Sequence, residues 1–145
     1  MTPDEFRRLG HRLIDWIADY RENIARHPVM AQVAPGEVRS RLPADPPERP
    51  ESMEAVLADL DRIVMPGITH WQSPRFFGYF PANAPLAGVL GDLASTGLGV
   101  VGLSWQSGPA VTEVEEVTTD WVRRMVGLPD GWSGVQNGPG ATAFT

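Results

Sequence analysis

Few side chains in this sequence are of types that carry chemistry, and their spacing narrows the choice further. The three histidines, His11, His27 and His70, have no metal-ligand spacing among themselves. His11 falls on the polar side of an amphipathic segment and His27 at its end, where both are expected to be solvated. His70 stands beside Trp71 in a loop, either as a hydrogen-bonded loop histidine or as a functional one. Glu113, Glu115 and Glu116 are of the right type for acid–base work, but at this spacing they fit a solvated helix face. There is no cysteine, which removes disulfides, zinc–thiolate sites and a thiol nucleophile. All 12 Lys+Arg positions are arginine, so no side-chain amine is available for covalent catalysis. The run Gly134-Val-Gln-Asn-Gly-Pro-Gly140 could turn backbone N–H groups towards a phosphate. It matches neither a Walker loop nor a dinucleotide fingerprint, and by itself it reads as a turn.

The remaining candidates are aromatic. Between Met65 and Pro81 lie Trp71, Phe76, Phe77, Tyr79 and Phe80, stiffened by Pro74 and Pro81. A loop has no period with which to bury a stripe, so these rings either plug a core or line a pocket.

The elements around that loop are read from pattern. Thr2, Pro3 and Glu5 form a capping-box start, and Phe6, Leu9, Leu13, Trp16, Tyr20 and Ile24 follow on one helical face until Pro28. That stripe packs either on its own domain or on another subunit. Residues 28–51 hold Pro35, Pro43, Pro46, Pro47 and Pro50 and read as a strap, anchored by Val29, Met30, Val33, Val38 and Leu42. A second helix is expected from Ser52 to Val64, ended by Pro66-Gly67, with Leu60 on its buried stripe. From Ala82 to Val111 the only charge is Asp92. Asn83, Pro85, Asp92, Ser95 and Thr96 argue against a membrane span there and favour a buried helix over about 84–96, followed by a Gly-rich turn. A further helix starts at Pro109 and is capped by Gly127, with Val114, Val117, Trp121 and Met125 or Val122 as its buried face.

One domain's length, a net charge of −6 and the lack of a basic stripe argue against a nucleic-acid partner. The absence of cysteine and of an apolar leader at the start fits a cytoplasmic protein.

Several segments together resemble a known family. They are Glu5-Phe-Arg-Arg, Val64-Met-Pro-Gly-Ile-Thr-His-Trp, Ser73-Pro-Arg-Phe-Phe-Gly-Tyr-Phe-Pro, Leu103-Ser-Trp, Ser107-Gly-Pro-Ala, Thr112-Glu and Asp120-Trp. The chain is similar, from about Glu5 to Val135, to the pyridoxal-phosphate-dependent (group II) amino-acid decarboxylases, which include aromatic-L-amino-acid decarboxylase. The resemblance implies a mainly α chain: an N-terminal helical arm over residues 1–83, then residues 84–145 as the truncated start of the large type I α/β cofactor domain. It implies a homodimer whose N-terminal segments wrap the partner. It also implies substrate-pocket positions at Trp71, Tyr79, Phe80, Pro81 and Ala82, with Val101 and Leu103 reaching across the interface. Pyridoxal phosphate is the implied cofactor and would serve as electron sink for the charge left by CO₂ loss. Relatives grip its phosphate with a turn that falls near Pro139 and Gly140. Here the proline lacks an N–H donor and the glycine lacks a hydroxyl.

In aromatic-specific relatives the position of Ala82 is often a hydroxyl residue and that of Leu103 an aromatic, so the resemblance implies an aromatic or apolar substrate side chain without fixing which. The family's cofactor lysine has no counterpart in these 145 residues, which by themselves are expected to be inactive. The alternative is a non-enzymatic, self-associating helical module derived from such an enzyme.

Overall fold

The computed structural model describes residues 1–80 and 83–135; Pro81, Ala82, Pro139 and Gly140 lie outside the described residues. Among the described residues there are helices and turns but no strand. The chain divides into two compact units, Met1–Ala84 and Pro85–Thr145.

In the first unit, α1 spans Pro3–Asn23. The expected capping box is present: Glu5 N–H donates to Thr2 Oγ1 at 3.2 Å, and Thr2 N–H donates to the Glu5 carboxylate at 2.6 Å. A 3-10 turn at Ile24–Arg26 ends the helix, and His27 leaves it in an extended conformation. The strap contains one helical turn, α2 (Glu37–Ser40), in the gap between Pro35 and Pro43. That turn is held locally, because the Glu37 carboxylate accepts from the Ala34 N–H at 3.1 Å and from the Arg41 guanidinium at 2.6 Å.

Helix α3 (Met53–Asp59) starts at the expected cap, with Ala55 N–H donating to Ser52 Oγ. The sequence pattern suggests a regular α-helix to Val64. Instead Leu60–Val64 widens into a π turn, closed by Met65 N–H donating to the Leu60 carbonyl, and Met65–Gly67 tightens into 3-10 geometry. Pro66 has no N–H for the Arg62 carbonyl, which instead accepts from Arg41 at 3.5 Å. Trp16 Nε1 donates to Asp61, and Arg8 pairs with Glu54, so α1 and the α3 segment are clasped at two levels. The buried apolar core comprises Leu9, Ile24 and Ile63. Leu60 is only half-buried, so Ile63 takes the role expected of it.

In the second unit, α4 spans Leu86–Leu98 and α5 spans Pro109–Met125. Gly127, in the left-handed region at φ +74°, closes α5 as its glycine position predicts. Gly108 permits a close approach: a Cβ there would lie 2.6 Å from the Val101 carbonyl oxygen.

Two burial expectations are corrected here. Helix α4 has no buried residue, and Leu86, Leu90, Leu93 and Leu98 are all exposed. The apolar stripe of α5 is likewise exposed at Val114, Val117, Trp121, Val122 and Met125, while Thr112, Asp120 and Arg123 are buried. The reason is local. Asp120 accepts from Arg123 Nε and Ser133 Oγ, both at 2.7 Å, and Arg123 also donates to the Leu128 carbonyl. These bonds fold residues 128–133 back over the polar side of the helix, so that side is the one covered.

Candidate substrate-pocket wall

The first part of the aromatic loop is tied to α1 and to the chain that follows it. His70 N–H donates to the Val29 carbonyl at 2.8 Å, and Ser73 N–H donates to the His70 carbonyl at 2.9 Å. Arg75 donates to the carbonyls of Ala25 and His27 at 2.7 and 3.0 Å, which holds the loop to the 3-10 turn after α1 and the residue that leaves it. Beyond the loop, Arg21 donates to the Ala84 carbonyl at 2.8 Å.

His70 is 2% exposed and its Nδ1 lies 2.9 Å from Tyr20 Oη. His27, expected to be solvated, is half-buried instead and stacks on His70 with ring centroids 4.8 Å apart. Burial, and secondarily the neighbouring His27, hold the His70 imidazole below the ordinary histidine range. Burial also pushes the Tyr20 phenol up, so the hydroxyl keeps its proton. The protonated phenol and the imidazole Nδ1 thus share one hydrogen bond, whose direction follows the imidazole tautomer. His27 and His70 also line a cavity of about 320 Å³ with Glu37, Arg41, Asp61 and Met65.

The rings that follow point the other way. Trp71 packs on Phe76 at 4.8 Å and stacks on Tyr79 at 5.7 Å with the planes 27° apart. Phe77, Tyr79 and Phe80 are 94%, 87% and 97% exposed, so in this unit they do not plug a core. Tyr79 has φ +52° and is the non-glycine residue recorded with positive φ. A bulky residue held there is strained, a feature that clusters at binding sites.

This arrangement offers an exposed cluster of aromatic rings built on Trp71. It can hold an aromatic or apolar group and exclude water, but it presents no nucleophile or acid–base pair. Among the described residues no group of three or more His, Asp or Glu could hold a metal ion.

Of the sequence-predicted positions, Trp71, Tyr79 and Phe80 are brought together in one loop. Val101 and Leu103, in the second unit, are 60% and 85% exposed. Tyr20, His27 and Arg75 were not singled out as holding the loop. Tyr20 belonged to the α1 stripe and carried the sole signal, a polar tip on an otherwise apolar face.

With that geometry in view, comparison with known proteins gives the class. The pyridoxal-dependent decarboxylase conserved domain matches residues 35–145. The chain belongs to the pyridoxal-dependent decarboxylase family. It is 49% identical to a tyrosine decarboxylase of Papaver somniferum over 129 residues, which is 89% of this chain and 25% of that protein. Among solved structures, the tryptophan decarboxylase of Catharanthus roseus in complex with L-tryptophan matches with a TM-score of 0.82 at 40% identity, over 89% of this chain and 28% of that one. The Oryza sativa TDC solved with PLP and tryptamine matches with a TM-score of 0.88 at 34% identity, over 94% of this chain and 29% of that one. The chain thus spans about a quarter of the length of the curated relatives it matches.

Pyridoxal phosphate is the family's cofactor. The described residues do not form its site: the chain holds no lysine, and the Gly-rich run from residue 136 onward lies outside the described residues. What they form is an apolar wall.

Proposed function

We propose that this chain is the N-terminal portion of a pyridoxal-phosphate-dependent carboxy-lyase that releases CO₂ from an aromatic amino acid, and that its loop of Trp71, Tyr79 and Phe80 forms one wall of the substrate pocket. The observation that carries this reading is the outward aromatic face, strained at Tyr79 and tied to α1, in a chain of this family. An apolar side chain laid on these rings loses its water and gains ring contacts, which favours aromatic substrates over charged ones. Pro81, Ala82, Val101 and Leu103 are the remaining substrate positions that the family resemblance implies.

The working unit is proposed to be a homodimer. The support is the exposed apolar surface of α4 and α5, with Leu86, Leu90, Leu93, Trp121 and Met125 uncovered. Large apolar side chains left uncovered on two helices favour burial against another chain.

The experiment is CO₂ release by the full-length protein that carries this chain, supplied with pyridoxal phosphate and, in turn, tryptophan, tyrosine, phenylalanine and glutamate. Release from the aromatic amino acids and not from glutamate is expected. Release from glutamate alone overturns the aromatic substrate, and release from none of them overturns the enzyme reading and leaves the self-associating module. The 145 residues alone, reduced with borohydride after exposure to pyridoxal phosphate, are expected to carry no internal adduct in peptide mass maps, because no lysine amine is present.

A further inference from the structure

We infer that Tyr20 and His70 are positioning residues for substrate binding: the contact between the phenol and the buried imidazole sets the direction of Trp71, and with it the shape of the aromatic wall. The inference rests on the pocket reading above.

His70 is fixed by backbone, ring edge and ring face. Its N–H is held by Val29 and its carbonyl by the Ser73 N–H. Its Nδ1 meets Tyr20 Oη at 2.9 Å, and its ring face lies on His27 at 4.8 Å. At 2% exposure the imidazole cannot turn without leaving a buried nitrogen unpaired, which is the expensive way to lose a hydrogen bond. Trp71 follows directly in the chain, and its N–H donates back to the Thr69 carbonyl at 3.0 Å, so the peptide between the two residues sits in a tight turn. The direction in which the indole leaves the backbone is therefore set by the anchored residue before it. The indole in turn carries Phe76 and Tyr79.

Tyr20 reaches His70 from fifty residues upstream, on α1. Its ring is packed independently of the hydroxyl, stacked on Trp16 at 6.0 Å and tilted against His27 at 5.7 Å. Removing only the hydroxyl should leave the ring in place and release the imidazole edge. The effect on substrate then passes through Trp71 alone.

The test uses the full-length holoenzyme with Tyr20→Phe, Trp71→Ala and the double variant. Tyr20→Phe is expected to raise KM for tryptophan about fivefold, equivalent to about 1 kcal/mol, with kcat within about twofold and a lowered melting temperature without loss of the folded state. In the Trp71→Ala background the same change should move KM by less than about twofold, because the residue it acts through is gone. An unchanged KM in Tyr20→Phe, or the full fivefold rise in the Trp71→Ala background, overturns the inference.

A second pair guards against misfolding. His70→Asn, whose amide can both donate and accept near the Nδ1 position, should hold KM near wild type, whereas His70→Leu should raise it. Equal KM values for the two count against the inference. Fluorine NMR of fluorotryptophan-labelled enzyme gives a readout independent of turnover. The Trp71 resonance should shift in Tyr20→Phe, as should that of Trp16, which stacks on Tyr20 directly, while the remaining tryptophan resonances stay. A moved Trp71 resonance in an enzyme that releases no CO₂ would sink the pocket reading and keep the positioning role. An unmoved one would sink the positioning role whatever the activity.

Discussion

Tyr79 offers a test in which backbone energetics and pocket function pull apart. Its φ of +52° places an L-residue in the left-handed region, which costs roughly 1–2 kcal/mol. Little burial offsets that cost, since the side chain is 87% exposed and its recorded ring contact is the stack on Trp71 at 5.7 Å. Such an exposed aromatic pair contributes about 0.5 kcal/mol at the low end of its range. Tyr79→Ala keeps the strain and loses the stack, so it should destabilise by about 0.5 kcal/mol. Tyr79→Gly loses the same stack and relieves the strain, at a cost of about 0.5–1 kcal/mol in unfolded-chain entropy relative to alanine. The glycine variant should therefore be more stable than the alanine variant by about 0.5–1 kcal/mol, the reverse of their order inside a helix or strand. Both should impair turnover alike, because both remove the ring. Urea midpoints of the two variants in the full-length protein, read beside kcat/KM for tryptophan, decide it. An alanine variant as stable as the glycine variant, or more so, would refute the strain. Wild-type turnover in either would refute the pocket wall.

Other outcomes follow from the packing and the charges. Ile63 is 3% exposed, so Ile63→Val should cost about 1 kcal/mol and Ile63→Ala about 3 kcal/mol by urea denaturation, while Leu98→Ala, at a site 74% exposed, should cost less than about 0.5 kcal/mol. Equal losses at the two sites would show that the core lies elsewhere. The Asp120 carboxyl is held down from 3.8 to about 2, first by the hydrogen bond from Arg123 and then by that from Ser133. A depressed folded pKa means that the unfolded chain binds the proton first as pH falls. The stability Asp120 contributes is thus fully present above 3.8 and lost as the pH drops through about 2. Melting curves across that window should fall more steeply for wild type than for Asp120→Asn, and parallel slopes would remove Asp120 from the account.

The features legible in the sequence are those that form within a few residues of chain. Thr2 with Glu5, Ser52 with Ala55, and Gly127 after α5 each satisfy orphan helix-end groups from a neighbour three or four positions away, so residue type and spacing suffice to place them. The family was legible too, because the motif from Val64 to Pro81 is long and the missing lysine is a matter of composition.

Contacts that close over long stretches of chain were not legible. Nothing in the residues around His27 says that it will stack on His70, or that Tyr20 will reach across fifty positions to the same ring. Those contacts depend on where the strap returns the chain, and a residue's type does not encode that path. Burial failed for a related reason. Helical period shows which side of α5 is apolar, but cover requires another segment to lie on that side. Here the segment that returns follows the hydrogen bonds of Asp120 and Arg123 to the polar side. The sequence by itself determined where α1, α3 and α5 start, the glycine that closes α5, and the family. Only the tertiary structure decided that the aromatic loop faces outward and that a buried histidine, held by a tyrosine from the first helix, anchors it there.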